Sequence, residues 1–299
     1  MDDLMKNCTL CPRNCGADRT KSSGFCRVGD KMRVALVSTH MYEEPCISGT
    51  SGSGTVFFSG CNMACVFCQN FDISQKPFGQ DISPDTLSDI FLKKQAEGVH
   101  NINLVSPSHF VPQIRETLIM AKEKGLSIPV VYNTNSYEKP ETLRLLDGLV
   151  DVYLADLKYF SEEFSQKYSA APDYFAHASE AVKEMLRQVG HLRINADGIA
   201  KKGLLIRHLV LPSLRKDSER ILLWIRDNLG AETYVSVMNQ YVPMYKASEF
   251  REISRRLTTF EYEKVLDYFL DIGMENGFRQ GKGSAVKDYT PKFDLSGLE

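Results

Sequence analysis

From residue 55 onward the chain alternates short apolar or β-branched runs with longer stretches of helical period. The short runs fall at 55–59, 101–105, 129–132, 150–154, 204–211 and 234–238, and each predicts a strand. Helical period follows at 83–98, 111–125, 139–146, 174–189, 217–228 and 259–273. The first of these helices has a start signal, with Ser83 as cap, Pro84 in the first turn and Asp85 at the positive end. Six strands alternating with helices imply parallel βαβ units. Six units are too few to close an eight-stranded barrel. The expected fold is therefore α/β, a partial (β/α)6 barrel open along one side, with chemistry collected after the strand ends.

Ahead of this pattern the chain reads differently. A strand is predicted at 33–38, followed by a glycine-rich run at 47–54. Gly49, Gly52 and Gly54 match neither the dinucleotide nor the P-loop spacing, and are expected to turn the chain tightly into the first barrel strand. Residues 1–30 are polar and carry too little apolar sequence to pack a core. The expected organisation is an N-terminal Cys-rich extension at 1–46, a barrel at 47–281 and a tail at 282–299 that wraps the surface or moves.

The composition suits a globular chain: 299 residues, 43% hydrophobic and 25% charged. A net charge of −2 gives no general attraction to nucleic acid or to an anionic membrane, so neither is expected as a partner. No apolar stretch of about 18 residues is present, and Met1-Asp2-Asp3-Leu4 does not open a signal peptide. A cytoplasmic location is expected. All eight cysteines lie within the first 68 residues. In a reducing compartment that crowding favours metal ligation over disulfides.

Cys61, Cys65 and Cys68 are the sharpest signal. Three thiolates on one short loop suit three corners of a [4Fe–4S] cube, and no fourth cysteine follows at comparable spacing. The iron left without a protein ligand is an open site for a small molecule. A second set, Cys8, Cys11, Cys15 and Cys26, has metal-binding spacing suited to either structural zinc or a closed auxiliary [4Fe–4S] cluster, with unbound thiols as the remaining reading. Cys46 is read as a lone buried thiol.

The C-x3-C-x2-C spacing, with Phe67 just before the last cysteine, resembles the signature of the radical S-adenosylmethionine (SAM) superfamily. The runs Ile47-Ser48-Gly49-Thr50, Cys68-Gln69-Asn70, Val131-Tyr132-Asn133-Thr134, Asp156-Leu157-Lys158-Tyr159 and Arg207-His208-Leu209-Val210 resemble its PflX-like branch. That branch is named for likeness to the activating enzyme of pyruvate formate-lyase. The resemblance spans roughly residues 8 to 280. It implies a [4Fe–4S] cluster that binds SAM and cleaves it reductively to a 5′-deoxyadenosyl radical, which abstracts hydrogen from a substrate. One departure stands out: where activating enzymes carry Gly-Gly-Glu, this chain reads Val105-Ser106-Pro107-Ser108-His109-Phe110.

The expected cofactor-binding residues are Ser106, Ser108, Asn133, Asn135, Asp156, Lys158, Arg207 and Gln240. Alternation puts Asp156 and Lys158 on one side of their strand, facing the barrel mouth. It also sends Arg207 and His208 to opposite faces, with Arg207 inward and His208 under a helix. Asn133, Thr134 and Asn135 offer neutral partners for a ribose. His109 is read either as a contact to SAM or substrate or as a satisfied loop histidine, and Tyr241 as a neighbour of Gln240 at the mouth. The expected function is radical SAM catalysis on a protein or peptide, with glycyl-radical activation as its specific version and a flavodoxin- or ferredoxin-type electron donor. The alternatives are a radical SAM enzyme for a small metabolite, or a non-catalytic iron–sulfur carrier or scaffold.

Overall fold

The computed structural model describes residues 2–76, 78–281 and 290–298. Its strands are β1 (Met32–His40), β2 (Ser53–Phe58), β3 (Gln80–Ile82), β4 (Ile102–Val105), β5 (Val130–Thr134), β6 (Val152–Asp156), β7 (Arg193–Ile194), β8 (Ala200–Leu209), β9 (Tyr234–Met238) and β10 (Gly277–Arg279). They form one sheet in the order β10-β9-β8-β6-β5-β4-β2-β1-β3, with β7 paired to β8. From β2 through β9 every neighbour on this path is parallel. These six strands are the six apolar runs. The β10 and β3 edges do not pair, so the sheet is an open, partial barrel.

Strands β2, β4 and β5 are buried at every position. Continuous burial is what a parallel strand covered on both faces requires, and it explains why apolar residues sit at adjacent positions in them, as in Val56-Phe57-Phe58 and Val130-Val131-Tyr132. The covering helices include Pro84–Ala96, Val111–Glu123, Tyr174–Val189, Arg215–Leu229 and Thr259–Asp271. Ser83 caps the first through its hydroxyl, which accepts from the Thr86 amide at 3.1 Å. Thr258 and Glu261 form a capping box on the last. No described helix is long and apolar enough to cross a membrane.

Several features lie outside the sequence expectation, the short strands β3 and β7 among them. Strand β1, within the expected extension, pairs antiparallel with β2 and so joins the sheet. A short parallel strand, β10, adds to β9 at the other edge. A helix at Glu162–Ser169 fills the segment after β6. It is barely two turns long, too short for its period to register.

The segment before β1 packs against the loops that leave the parallel strands. Thr142 donates to the Leu10 carbonyl (2.8 Å), Arg13 donates to Asn62 (2.8 Å) and Ala170 (2.6 Å), and Arg19 donates to His109 (2.6 Å). Of the expected tail, 282–289 lies outside the described residues. Beyond it, Leu295 donates to Ala35 (3.0 Å), Ser296 accepts from Val37 (2.9 Å), and the Phe293 ring meets Phe57 edge-on at 5.5 Å.

Candidate functional site

A cavity of about 230 Å³ lies at the C-terminal ends of the parallel strands. Phe58 of β2, Val105 of β4, Asn133 of β5, Asp156 of β6, Arg207 of β8 and Met238 of β9 all line it. Six strands contribute to one cavity because the sheet curls. Cys61, Cys65 and Cys68 form part of its wall.

The loop carrying the triad leaves β2 through Gly60, whose φ is +86°. A Cβ at Gly60 would stand 2.5 Å from the Cys26 carbonyl oxygen, so only glycine fits this approach. The next amide, Cys61 N–H, donates to that carbonyl at 3.3 Å. Each thiol has a polar partner. Asn135 Nδ2 is 3.5 Å from Cys61 Sγ, Ser169 Oγ donates to Cys65 Sγ at 3.0 Å, and Ser74 Oγ lies 3.3 Å from Cys68 Sγ. Burial pushes the Cys61 thiol up to about 11 and the Cys68 thiol up to about 12. It also raises Cys65, against the pull of Lys158. Thiols held this way keep their protons in the free protein and release them to solvent when a soft metal binds the sulfur. Three sulfur donors facing one cavity, with hydrogen-bond partners at their sulfurs, fit three corners of an iron–sulfur cube.

Beside the triad runs a chain of paired charges. Lys158 Nζ donates to Asp156 Oδ2 at 2.7 Å, and Arg207 Nε donates to Asp156 Oδ1 at 2.8 Å. Arg207 also reaches Glu43 Oε2 at 3.0 Å and Asn133 Oδ1 at 2.6 Å. Glu43 Oε1 accepts from Asn103 (2.9 Å) and Asn133 (3.2 Å). Burial pushes the Asp156 carboxyl up, but Arg207 and Lys158 together outweigh it and hold the group below the usual carboxylate range. Burial likewise lowers Lys158, and Asp156 and Cys65 more than restore it. The site therefore offers ammonium, guanidinium and carboxylate groups within one cavity. That set suits a ligand carrying both signs of charge.

Ser106, Asn133, Asn135, Asp156, Lys158, Arg207 and Gln240 line the cavity, as do Thr134 and Tyr241. Ser106 does so from the left-handed region, at φ +57°. Ser108 is a correction, since it does not line the cavity. It sits in the one-turn helix Ser108–Phe110, and its hydroxyl donates inward to Glu138 Oε1 at 2.8 Å. Thr134 and Tyr132 also bind the buried Glu138, whose carboxyl burial raises. His109 is buried, with Nε2 2.8 Å from the Ser59 carbonyl and Nδ1 without a hydrogen-bond partner among the described residues. His208 faces away from the cavity and lies 2.8 Å from Ser218 on the helix Arg215–Leu229.

Sequence reasoning missed Glu43, Ser74 and Ser169. Glu43 sits in the irregular β1–β2 connection, where no periodicity marks a facing direction. Ser169 ends the helix at Glu162–Ser169 that the sequence pattern did not reveal. The hydroxyl-bearing residues near the triad gave no signal beyond their polarity.

The N-terminal cysteines gather in one region. Cys8, Cys11 and Cys26 are buried and Cys15 is exposed. A turn closes from Cys11 to Asn14 (3.1 Å), and Cys8 bonds through its backbone to Gly16 and Ala17 (both 3.1 Å). A Cβ on Gly24 would stand 3.1 Å from Cys15 Sγ and 3.6 Å from Cys26 Sγ. The bare glycine leaves the space beside both thiols open, although among the described residues no three cysteine, histidine or acidic side chains are spaced to hold a single metal ion. Cys46 is buried apart from both sets, among Ile47, Val131 and Leu154.

The sequence model of the radical SAM superfamily matches residues 55–200, which include the triad and the Asp156–Lys158 pair. An uncharacterised protein of Methanocaldococcus jannaschii, MJ0674, is 36% identical over 284 residues, covering 90% of this chain and 77% of its own. A second from the same organism, MJ0808, is 23% identical over 269 residues, covering 83% and 74%. Among solved structures, Streptococcus suis SuiB bound to S-adenosylmethionine shares the fold with a TM-score of 0.52 at 16% identity, over 75% of this chain and 49% of its own. The same protein bound to its precursor peptide SuiA gives 0.51 at 16% identity, over 75% and 47%. The chain thus spans about half the length of these solved proteins. Members of the matched family use a [4Fe–4S] cluster and SAM. With the cysteine triad at the end of β2 and the cavity beyond it, residues 55–200 of this chain carry a domain of the radical SAM superfamily.

Proposed function

We propose that this chain is a radical SAM enzyme of the PflX-like branch that abstracts hydrogen from a protein or peptide. The observation that carries this reading is the shared cavity of the three thiols and the Asp156–Lys158–Arg207 charge chain. Cys61, Cys65 and Cys68 would hold a [4Fe–4S] cluster. That centre, when bound with SAM, supplies reductive cleavage to a 5′-deoxyadenosyl radical. Lys158 and Arg207 orient the carboxylate of the cofactor, and Asn133 and Asn135 present neutral partners to its ribose. Ser106 and Gln240 close the cavity walls. Phe57, Phe58 and Tyr241 keep water from the reacting region.

An extended substrate is supported by the open side of the sheet and by the apolar rim beside it. Tyr42 lines the cavity and is 60% exposed, next to Met41 at 46%. SuiB, which shares the fold, is known bound to a peptide. Glycyl-radical activation is the specific version of this chemistry, and a flavodoxin- or ferredoxin-type protein would supply the electron. The N-terminal set, Cys8, Cys11, Cys15 and Cys26, would hold a second metal centre, either zinc or [4Fe–4S]. Such a staple offsets the scarcity of apolar residues in its segment.

The test is SAM consumption by the reconstituted protein, given cell extract separated by ultrafiltration. Macromolecular extract should stimulate 5′-deoxyadenosine formation, and low-molecular-weight extract should not. Stimulation by the small-molecule fraction alone would replace the peptide reading with a metabolite.

A further inference from the structure

Arg19 is a buried cation with no carboxylate among its hydrogen-bond partners in the described residues. It is 1% exposed. Its Nε and Nη2 donate to the Gly29 carbonyl at 3.1 and 2.5 Å, and its Nη1 donates to the His109 carbonyl at 2.6 Å. The Phe110 ring lies beneath the guanidinium, at 5.5 Å. Arg207, the other interior arginine, is matched by two carboxylates. An interior charge carries a desolvation cost, and carbonyl dipoles repay only part of it.

A group able to carry negative charge does lie against it, and it is sulfur. Arg19 Nη1 lies 3.9 Å from Cys8 Sγ, and Cys15 and Cys26 are within its electrostatic reach. Four thiolates around Zn²⁺, or around an oxidised [4Fe–4S] core, leave a dianion in either case. We infer that Arg19 is the internal counter-charge of a dianionic tetrathiolate metal centre at Cys8, Cys11, Cys15 and Cys26. This rests on the second centre proposed above and adds the residue that makes it tolerable inside the fold. Arg19 acts as a positioning residue. Its bond to His109 ties the centre to Ser59, which His109 also binds, two residues before Cys61.

The test uses the full chain with Cys61, Cys65 and Cys68 replaced by Ala, so that bound zinc, iron and sulfide report the N-terminal centre alone. Zinc with no sulfide marks a zinc site, and iron with sulfide marks a cluster. In either case Arg19→Gln should weaken metal retention against a chelator about 10- to 100-fold, the usual effect of losing an outer partner. Arg19→Lys, which keeps the charge, should restore most of it.

A second arm removes the thiols as Cys8, Cys11, Cys15 and Cys26→Ser. Arg19→Gln should lower the melting temperature of the metal-loaded chain but raise it, or leave it unchanged, in the thiol-free chain. Equal destabilisation in both backgrounds, or metal retention indifferent to Arg19→Gln, would overturn the counter-charge. Absence of any metal from the triad-free chain would instead overturn the second centre, and the counter-charge with it.

Discussion

The backbone amide of Cys61 donates to the carbonyl oxygen of Cys26 at 3.3 Å. The first cysteine of the triad is thus bonded directly to the last cysteine of the N-terminal set. The two groups are 35 positions apart in sequence yet share one hydrogen bond, because β1 runs out and β2 returns antiparallel beside it. Whatever orders the N-terminal segment also orders the start of the triad loop.

Gly60 makes this contact possible, so Gly60→Ala should separate the two groups. Alanine at φ +86° costs about 1–3 kcal/mol from the backbone alone, and its Cβ would collide with the Cys26 carbonyl. The expected result is a lower melting temperature together with fewer irons per chain after anaerobic reconstitution. Iron content equal to the native protein would show that the contact is dispensable.

Ser169 Oγ donates to Cys65 Sγ, and a hydrogen bond to a cluster sulfur favours the reduced, more negative state. Ser169→Ala should lower the midpoint potential of the bound cluster. A net hydrogen-bond worth of about 0.5–1.5 kcal/mol corresponds to roughly 20–60 mV for one electron. Potentiometric titration followed by electron paramagnetic resonance measures the shift directly.

Arg207 neutralises Asp156 and Glu43, both largely buried. Arg207→Met should cost about 3–5 kcal/mol in denaturant unfolding, because Glu43 is left with amide partners alone and Asp156 with Lys158 alone. Adding Glu43→Gln should recover about 1 kcal/mol or more, since the residues are coupled. Strict additivity of the two changes would contradict the network.

Burial holds the His208 imidazole down at about 4, against 6.5 in the unfolded chain. The unfolded chain then binds a proton that the folded chain refuses. Stability from this group is complete above about pH 6.5 and is lost as pH falls towards 4, amounting to about 3 kcal/mol at most. Asp156, held low, adds a loss in the same direction below the unfolded carboxylate range. Urea midpoints at about pH 7.5 and about pH 5 should differ less in His208→Asn than in the native protein at equal metal loading.

The parallel sheet was legible because each barrel strand is an apolar run between helical periods. The facing of Arg207 and His208 followed from simple alternation along β8. The site was less legible where side chains leave irregular backbone. Ser108 lies two residues beyond Ser106, but it opens a one-turn helix that turns its hydroxyl to Glu138. Glu43 meets Arg207 across 164 positions, a pairing set by topology rather than by any local pattern. Arg19 sits in a polar, cysteine-bearing stretch that reads as surface, yet the segment folds over it.

The central claim is that the triad supports reductive cleavage of SAM. The most direct measurement is 5′-deoxyadenosine release from the anaerobically reconstituted chain with dithionite and SAM, beside the variant with Cys61, Cys65 and Cys68 replaced by Ala. The account predicts release by the native chain and none by the variant. Release at the native rate from the variant, or none from a native chain carrying its full iron and sulfide, would contradict it.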